Sequence, residues 1–217
     1  MEAINAKLSA LQARLLKGEN YRSLCNSSSH GHFMSQVRER MSMDEEIMRL
    51  RKFSCGKHVG VLPKDQLKAW MTIKAMPNSR NRHALSYIKG TEIDLENIGR
   101  IYRLKEYFPT SAVYPHIIPI SYRINQDQLR QLAESPGVPE FIVALRHTSY
   151  GDISIKEPEK LLFQAINRAA KRWPGSAANI QAYFFAREIE IRNLICISEG
   201  LRFGLSSEEI YGQMILL

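Results

Sequence analysis

The sequence is short of the residues that would tie it to an oxidising compartment or a bilayer core. Cys25, Cys55 and Cys196 are the three cysteines in 217 residues, an odd and sparse count that suits a reducing cytosol better than a disulfide framework. Apolar runs are brief, and those near 117–120 and 194–197 fall far below the roughly 18 to 20 residues of a membrane-spanning helix. The opening Met-Glu-Ala-Ile-Asn-Ala-Lys lacks the basic-then-apolar profile of a secretory signal. Strand signals are nearly absent. Acid is also in deficit, with 22 Asp and Glu against 30 Lys and Arg and a net charge of +8. These shortages lead us to expect a soluble intracellular chain. Its positive field attracts polyanions, both nucleic acid and anionic headgroups, without choosing between them.

Helical periodicity fills the space that strands leave. Ile4, Leu8, Leu11 and Leu15 share one face, and Phe33, Val37 and Met41 continue the pattern. Leu67, Trp70 and Met71 mark a short helix stopped by Pro77. The polar, basic stretch 77–83 reads as an exposed loop. Thr91 and Asp94 have capping-box spacing, which predicts a helix from there to about Tyr107. Pro109, Pro115 and Pro119 then force an extended connection holding Ile117 and Ile118.

Asn125 is placed to cap a helix that Pro136-Gly137 ends. Pro139 and Pro158 each suit the first position of a helix. The second of these carries Leu162, Ala165, Ile166, Ala169 and Trp173 on one face. A long helix over about 179–203 closes near Gly204, and Ser206 with Glu209 forms another capping box. The fold class expected is all-α.

The chain also resembles itself. Shifted by 108 positions, residues 16–38 lie over 124–146 without a gap: Arg22 meets Arg130, Leu24 meets Leu132, Ser27 meets Ser135, Phe33 meets Phe141 and Arg38 meets Arg146. A second echo, 96 residues apart, sets Asp94 and Asn97 against Glu190 and Asn193. Both patterns read as a stacked array of helical units. The divisions expected are a first unit over 1–90, a second over 91–180, and a terminal helix motif with a shortened third unit over 181–217.

Candidates for chemistry are few. Cys55 and His58 have half the spacing of a zinc site with no second pair, and His30 and His32 lack a nearby acid. Gly56-Lys57 lacks the flanking glycine and hydroxyl of a phosphate loop. No nucleophile, base and orienting acid stand together in sequence. We therefore expect no catalytic residue, no metal and no cofactor. The acid-plus-Asn helix is the feature that remains. Glu188 and Arg192 make an i,i+4 pair, while Asn193 faces the apolar seam, where its amide needs a main-chain partner or another subunit. Two basic stretches, Arg80 with Arg82 and Arg168 with Lys171 and Arg172, could meet phosphates, but neither shows the aromatics of a stacking platform.

The segment 182–210, with Tyr183, Arg187-Glu188, Glu190, Arg192-Asn193 and Gly204 before a short acidic helix, resembles the carboxy-terminal signature of the C-subunit family of archaeal and bacterial V-type ATPases, whose eukaryotic counterpart is the d subunit. Arg187 stands where that family usually has Lys. The stretches around Asp94-Leu-Glu-Asn97 and Thr148-Ser-Tyr150-Gly resemble it too, as does the start from Ala6 to Leu16, while 45–81 does so weakly. The resemblance implies a non-catalytic, funnel-like helical subunit, peripheral on the cytoplasmic face of the membrane. It would couple a central stalk to a ring of proteolipids during proton or sodium transport. It also implies that Asp94, Asn97, Glu188, Glu190, Arg192 and Asn193 pack units together or contact other subunits. No small-molecule substrate follows from it, and nucleic acid is not an expected partner. Family members are usually longer, with about three full units. The competing readings are a helical scaffold and a basic nucleic-acid-binding module.

Overall fold

Residues 6, 10–41, 63–110, 112–151 and 158–216 are described by the structure, a computed structural model. Among them every regular element is helical: α1 Gly18–Cys25, α2 His30–Met41, α3 Pro63–Ala75, α4 Arg80–Tyr107, α5 Gln126–Glu134, α6 Val138–Arg146, α7 Pro158–Arg172, α8 Ala177–Arg202 and α9 Ser207–Gly212, with a 3₁₀ turn at Tyr114–His116. The all-α expectation holds. Ile4 and Leu8 lie outside the described residues, as do Cys55 and His58.

Local chemistry explains most boundaries. Asn125 and Gln128 cap α5 reciprocally, and Ser206 and Glu209 do the same for α9. Pro158 opens α7, whereas Pro139 takes the second position of α6, one residue later than expected. Phe108, which precedes Pro109, leaves the helical region and ends α4. At the end of α8, Gly204 adopts φ +71°. Its N–H reaches the Leu201 carbonyl at 3.3 Å, and the Leu205 N–H reaches that of Gly200 at 3.0 Å. This bond pair is a Schellman cap.

Two expectations need correction. The stretch 77–83 is loop only as far as Ser79, whose hydroxyl accepts the Arg82 N–H, so Arg80 to His83 form the first turn of α4. Pro77 breaks the preceding helix but cannot forbid a new one three residues on. Thr91 and Asp94 accordingly start nothing. Thr91 is buried in mid-helix with its hydroxyl bonded back to the Tyr87 carbonyl at 2.8 Å, and Asp94 points elsewhere.

The chain divides into two compact units, 58–179 and the pair 1–57 with 180–217. In the first, α4 packs along α7 and α3, and Ile93, Ile101, Ile118, Leu132, Phe141 and Ile166 are buried. In the second, α1 packs on α9, and Tyr21, Leu24, Cys25, Phe33, Leu194, Ile197 and Ile210 form one cluster. Each of these larger side chains contributes about 1.5 to 3 kcal/mol by leaving water. Gly200 lets Ile210 sit directly on α8, because a Cβ there would come within 2.5 Å of Ile210 Cγ1.

Candidate functional site

In the unit 58–179, Asp94 and Asn97 lie one turn apart on α4, both essentially without solvent exposure. Burial obliges each to find partners. Asn97 finds them on Ile118: Nδ2 donates to the Ile118 carbonyl at 3.0 Å, and Oδ1 accepts the Ile118 N–H at 2.7 Å. A weaker contact reaches the Ile120 carbonyl at 3.4 Å. Pro115 falls in the 3₁₀ turn rather than in an extended stretch, but the chain is extended from Ile117. Pro119 restricts Ile118, so the main-chain groups of Ile118 have no helical partner and the amide supplies one.

Asp94 collects four donors. The N–H groups of Tyr122, Arg123 and Ile124 approach at 3.1, 2.7 and 3.3 Å, and the Tyr150 hydroxyl donates at 3.0 Å. Burial pushes the Asp94 carboxyl above its ordinary value, while these donors pull it back down. The Tyr150 phenol is pushed far up, first by burial and then by the neighbouring carboxylate.

The same two residue types recur on α8 at a spacing of 96, in the other unit. Asn193 donates to the Ile215 carbonyl at 2.8 Å and accepts its N–H at 3.0 Å. Glu190 accepts the Leu16 N–H at 2.8 Å and pairs with Arg187. The Tyr21 phenol, bonded to Asn193, is pushed up to about 12, chiefly by burial. Under the 108-residue shift Leu16 falls on Ile124, the residue whose N–H reaches Asp94. The starts of α1 and α2 likewise fall on those of α5 and α6.

One difference separates the two arrangements. Around α4 a single stretch, 118–124, supplies the main-chain partners of both acid and amide, with the Tyr150 hydroxyl added at the acid. Around α8 two remote segments do so, Leu16 for the acid and Ile215 for the amide.

Glu188 and Arg192 stand apart from this chemistry. They pair with each other at 2.7 Å with about a third of each side chain exposed, an arrangement contributing about 0.2 to 0.5 kcal/mol. So Asp94 joins Asn97, Glu190 joins Asn193, and the remaining pair lies outside both clusters. Sequence reasoning missed Tyr150 and Arg187 as direct partners of the two acids. The aromatic of Thr148-Ser-Tyr150-Gly and the i,i+3 spacing of Arg187 and Glu190 were the available signals.

Both acids have their lone pairs occupied by fixed donors, an arrangement suited to holding chain segments together rather than to moving protons. His30 Nε2 lies 3.0 Å from Ser198 Oγ, and His32 contacts Ser28 and Gln36. Among the described residues no group of three His, Cys, Asp or Glu could hold a metal ion, and no helix is long and apolar enough to cross a membrane.

The family described as ATP synthase (C/AC39) subunit matches residues 64–213, which include both acid–asparagine pairs. Among curated relatives, the A-type ATP synthase C subunit of Archaeoglobus fulgidus is 31% identical over 144 residues, 61% of this chain and 42% of the relative. The protein of the same name from Methanobrevibacter smithii is 28% identical over 172 residues, 71% of this chain and 45% of the relative. That of Methanothermobacter thermautotrophicus is 26% identical over 143 residues, 58% and 37%. The chain thus spans less than half the length of each of these relatives. No solved structure matches it.

Proposed function

The chain belongs to the ATP synthase (C/AC39) subunit family, and on that premise we propose that it is a non-catalytic subunit joining the central stalk of a rotary ATPase to its membrane ring of proteolipids. It works in proton or sodium transport, peripheral on the cytoplasmic face. A protein in that position has to carry torque without yielding, and two acid–asparagine clamps on long helices suit that demand. The observation that carries the reading is the family match over 64–213, which contains Asp94, Asn97, Glu190 and Asn193. In this reading those four residues hold helical units in a funnel-like stack, and the half-exposed pair Glu188 and Arg192 meets a neighbouring subunit. The net charge of +8 suits a surface beside anionic headgroups, where each nearby cation contributes about 1 kcal/mol.

The test is affinity purification of the tagged chain from gently solubilised native membranes, followed by mass spectrometry. Co-purifying stalk and proteolipid subunits are the expected result. Their absence, from cells shown to contain the complex, would overturn the coupling role.

A further inference from the structure

The two basic stretches noted in the sequence meet in the structure. Arg82, from the first turn of α4, and Arg172, from the last turn of α7, line one cavity of about 450 Å³ together with Lys74 from the end of α3. This volume falls within the ordinary range of small-ligand sites. Among the described residues no carboxylate lines the cavity, and none pairs with these three cations. Lys74 and Arg172 sit at the negative ends of their helices, which accounts for them without a ligand. Arg82 has no such account: it adds positive charge at the positive end of a 28-residue helix whose first turn holds no acid. Lys74 Nζ lies 4.5 Å from the centre of the Trp70 ring and the Arg172 guanidinium 5.0 Å from that of Trp173, contacts that orient both cations without supplying an acid to neutralise them.

Trp173 and His83 adjoin Arg172 and Arg82 in sequence, and the fold adds Tyr87 and Tyr122 to make an aromatic wall. Trp173 and Tyr122 line the same cavity, and the His83 and Trp173 rings lie near-parallel, 13° apart at 6.4 Å between centroids. Tyr87 meets Trp173 at 5.8 Å. The walls are tied together independently of any ligand. Arg80 donates to the Pro174 carbonyl at 2.9 Å, and the Ala177 N–H donates to Asn81 at 2.9 Å. The cavity is therefore preformed, with cations and π-faces side by side.

We propose that this cavity binds a nucleotide, its phosphates held by Lys74, Arg82 and Arg172 and its base resting on the aromatic wall at Trp173. Phosphate is matched by cations that can donate in forked geometry. A planar base is matched by indole and phenol faces. The cavity is assigned binding alone, and its three cations take no part in the acid–asparagine clamps.

Calorimetric titration of the whole chain with ATP, adenosine and tripolyphosphate tests the assignment. Intrinsic fluorescence is a second readout, because the chain has two tryptophans. Trp173 lines the cavity, and Trp70 packs on Tyr122 at 5.8 Å. The expected result is saturable binding and quenching by ATP, weakened by added salt, with adenosine and tripolyphosphate each binding at least about tenfold more weakly. The double substitution Arg82→Ser, Arg172→Ser should reduce ATP affinity by at least about tenfold again and leave the circular dichroism spectrum unchanged. Tripolyphosphate binding as tightly as ATP would overturn the nucleotide assignment in favour of a bare polyanion site. ATP affinity undiminished in the double variant, or no ATP binding at all, would overturn the site itself.

Discussion

The side-chain amide of Asn97 pairs with the main chain of Ile118 as a neighbouring strand would, one bond to its carbonyl at 3.0 Å and one from its N–H at 2.7 Å. In a helical protein this amide does for an extended segment what a sheet does elsewhere. Asn97→Leu keeps the volume and removes both bonds, leaving the buried Ile118 N–H unpaired at about 1 to 3 kcal/mol, while the Ile118 carbonyl loses one donor and keeps the Ile120 N–H at 2.7 Å. A loss of about 2 to 4 kcal/mol in urea unfolding is expected. Asn193→Leu should cost less, about 1 to 3 kcal/mol, because Ile215 is only half-buried and water can replace part of what is lost. A larger loss at 193 than at 97 would contradict this ranking.

Asp94 gives stability a pH dependence of known sign. Its carboxyl is raised in the folded chain relative to the usual value of 3.8, so the native state binds the proton more tightly than the unfolded state does. The stability linked to that proton is fully present below the unfolded value and is lost as pH rises through the native one. Asp94→Asn should abolish this slope. It should also destabilise the protein near neutral pH by about 1 to 3 kcal/mol, because an amide cannot accept from every donor now facing the carboxylate. Tyr150→Phe removes only one of the four donors and should cost about 1 kcal/mol. Urea unfolding of all three proteins on both sides of that window would show it.

Gly90 has a different role. A Cβ there would stand 2.3 Å from Cγ of Tyr122 and 2.6 Å from both Cδ atoms, close to where the ring joins its own backbone, so the side chain cannot swing clear. Gly90→Ala gains helix propensity of about 1 kcal/mol but overpacks by about 1 to 3 kcal/mol. A net loss of stability is expected, with a changed near-ultraviolet spectrum as the Tyr122 ring is displaced. A stabilised variant with an unchanged spectrum would show that the ring does not rest on this glycine.

Gly204 offers a cleaner case. Its φ is +71° and an added Cβ would meet nothing within 4 Å, so Gly204→Ala tests backbone strain alone. The expected cost is about 1 kcal/mol in thermal or urea unfolding.

How much of this could be read from the chain depended on how far apart the interacting residues lie. Caps that act over three residues, at Asn125 and Ser206, were legible because donor and acceptor are written side by side. The same spacing misled at Thr91, since i,i+3 also describes any turn within a helix, and only the Ser79 cap upstream decides the matter. The Asn193 amide called for a main-chain partner, but Ile215 is 22 residues away and the choice belongs to the fold. Arg82 and Arg172 are 90 positions apart, and Tyr122, which lines the cavity with them, belongs to neither stretch. No local pattern could have joined them.

The bond from Leu16 to Glu190 spans 174 positions, and it sets an order of assembly. Synthesis delivers α1 and α2 well before α8 and α9, so Tyr21, Leu24 and Phe33 lack their partners Leu194, Ile197 and Ile210 until those emerge. The unit 58–179 is continuous in sequence and compact by itself, so its partners are all available before α9 is made. The residues of α1 are thus made long before they can settle. This high contact order slows folding of the unit that holds α1, α2 and α9.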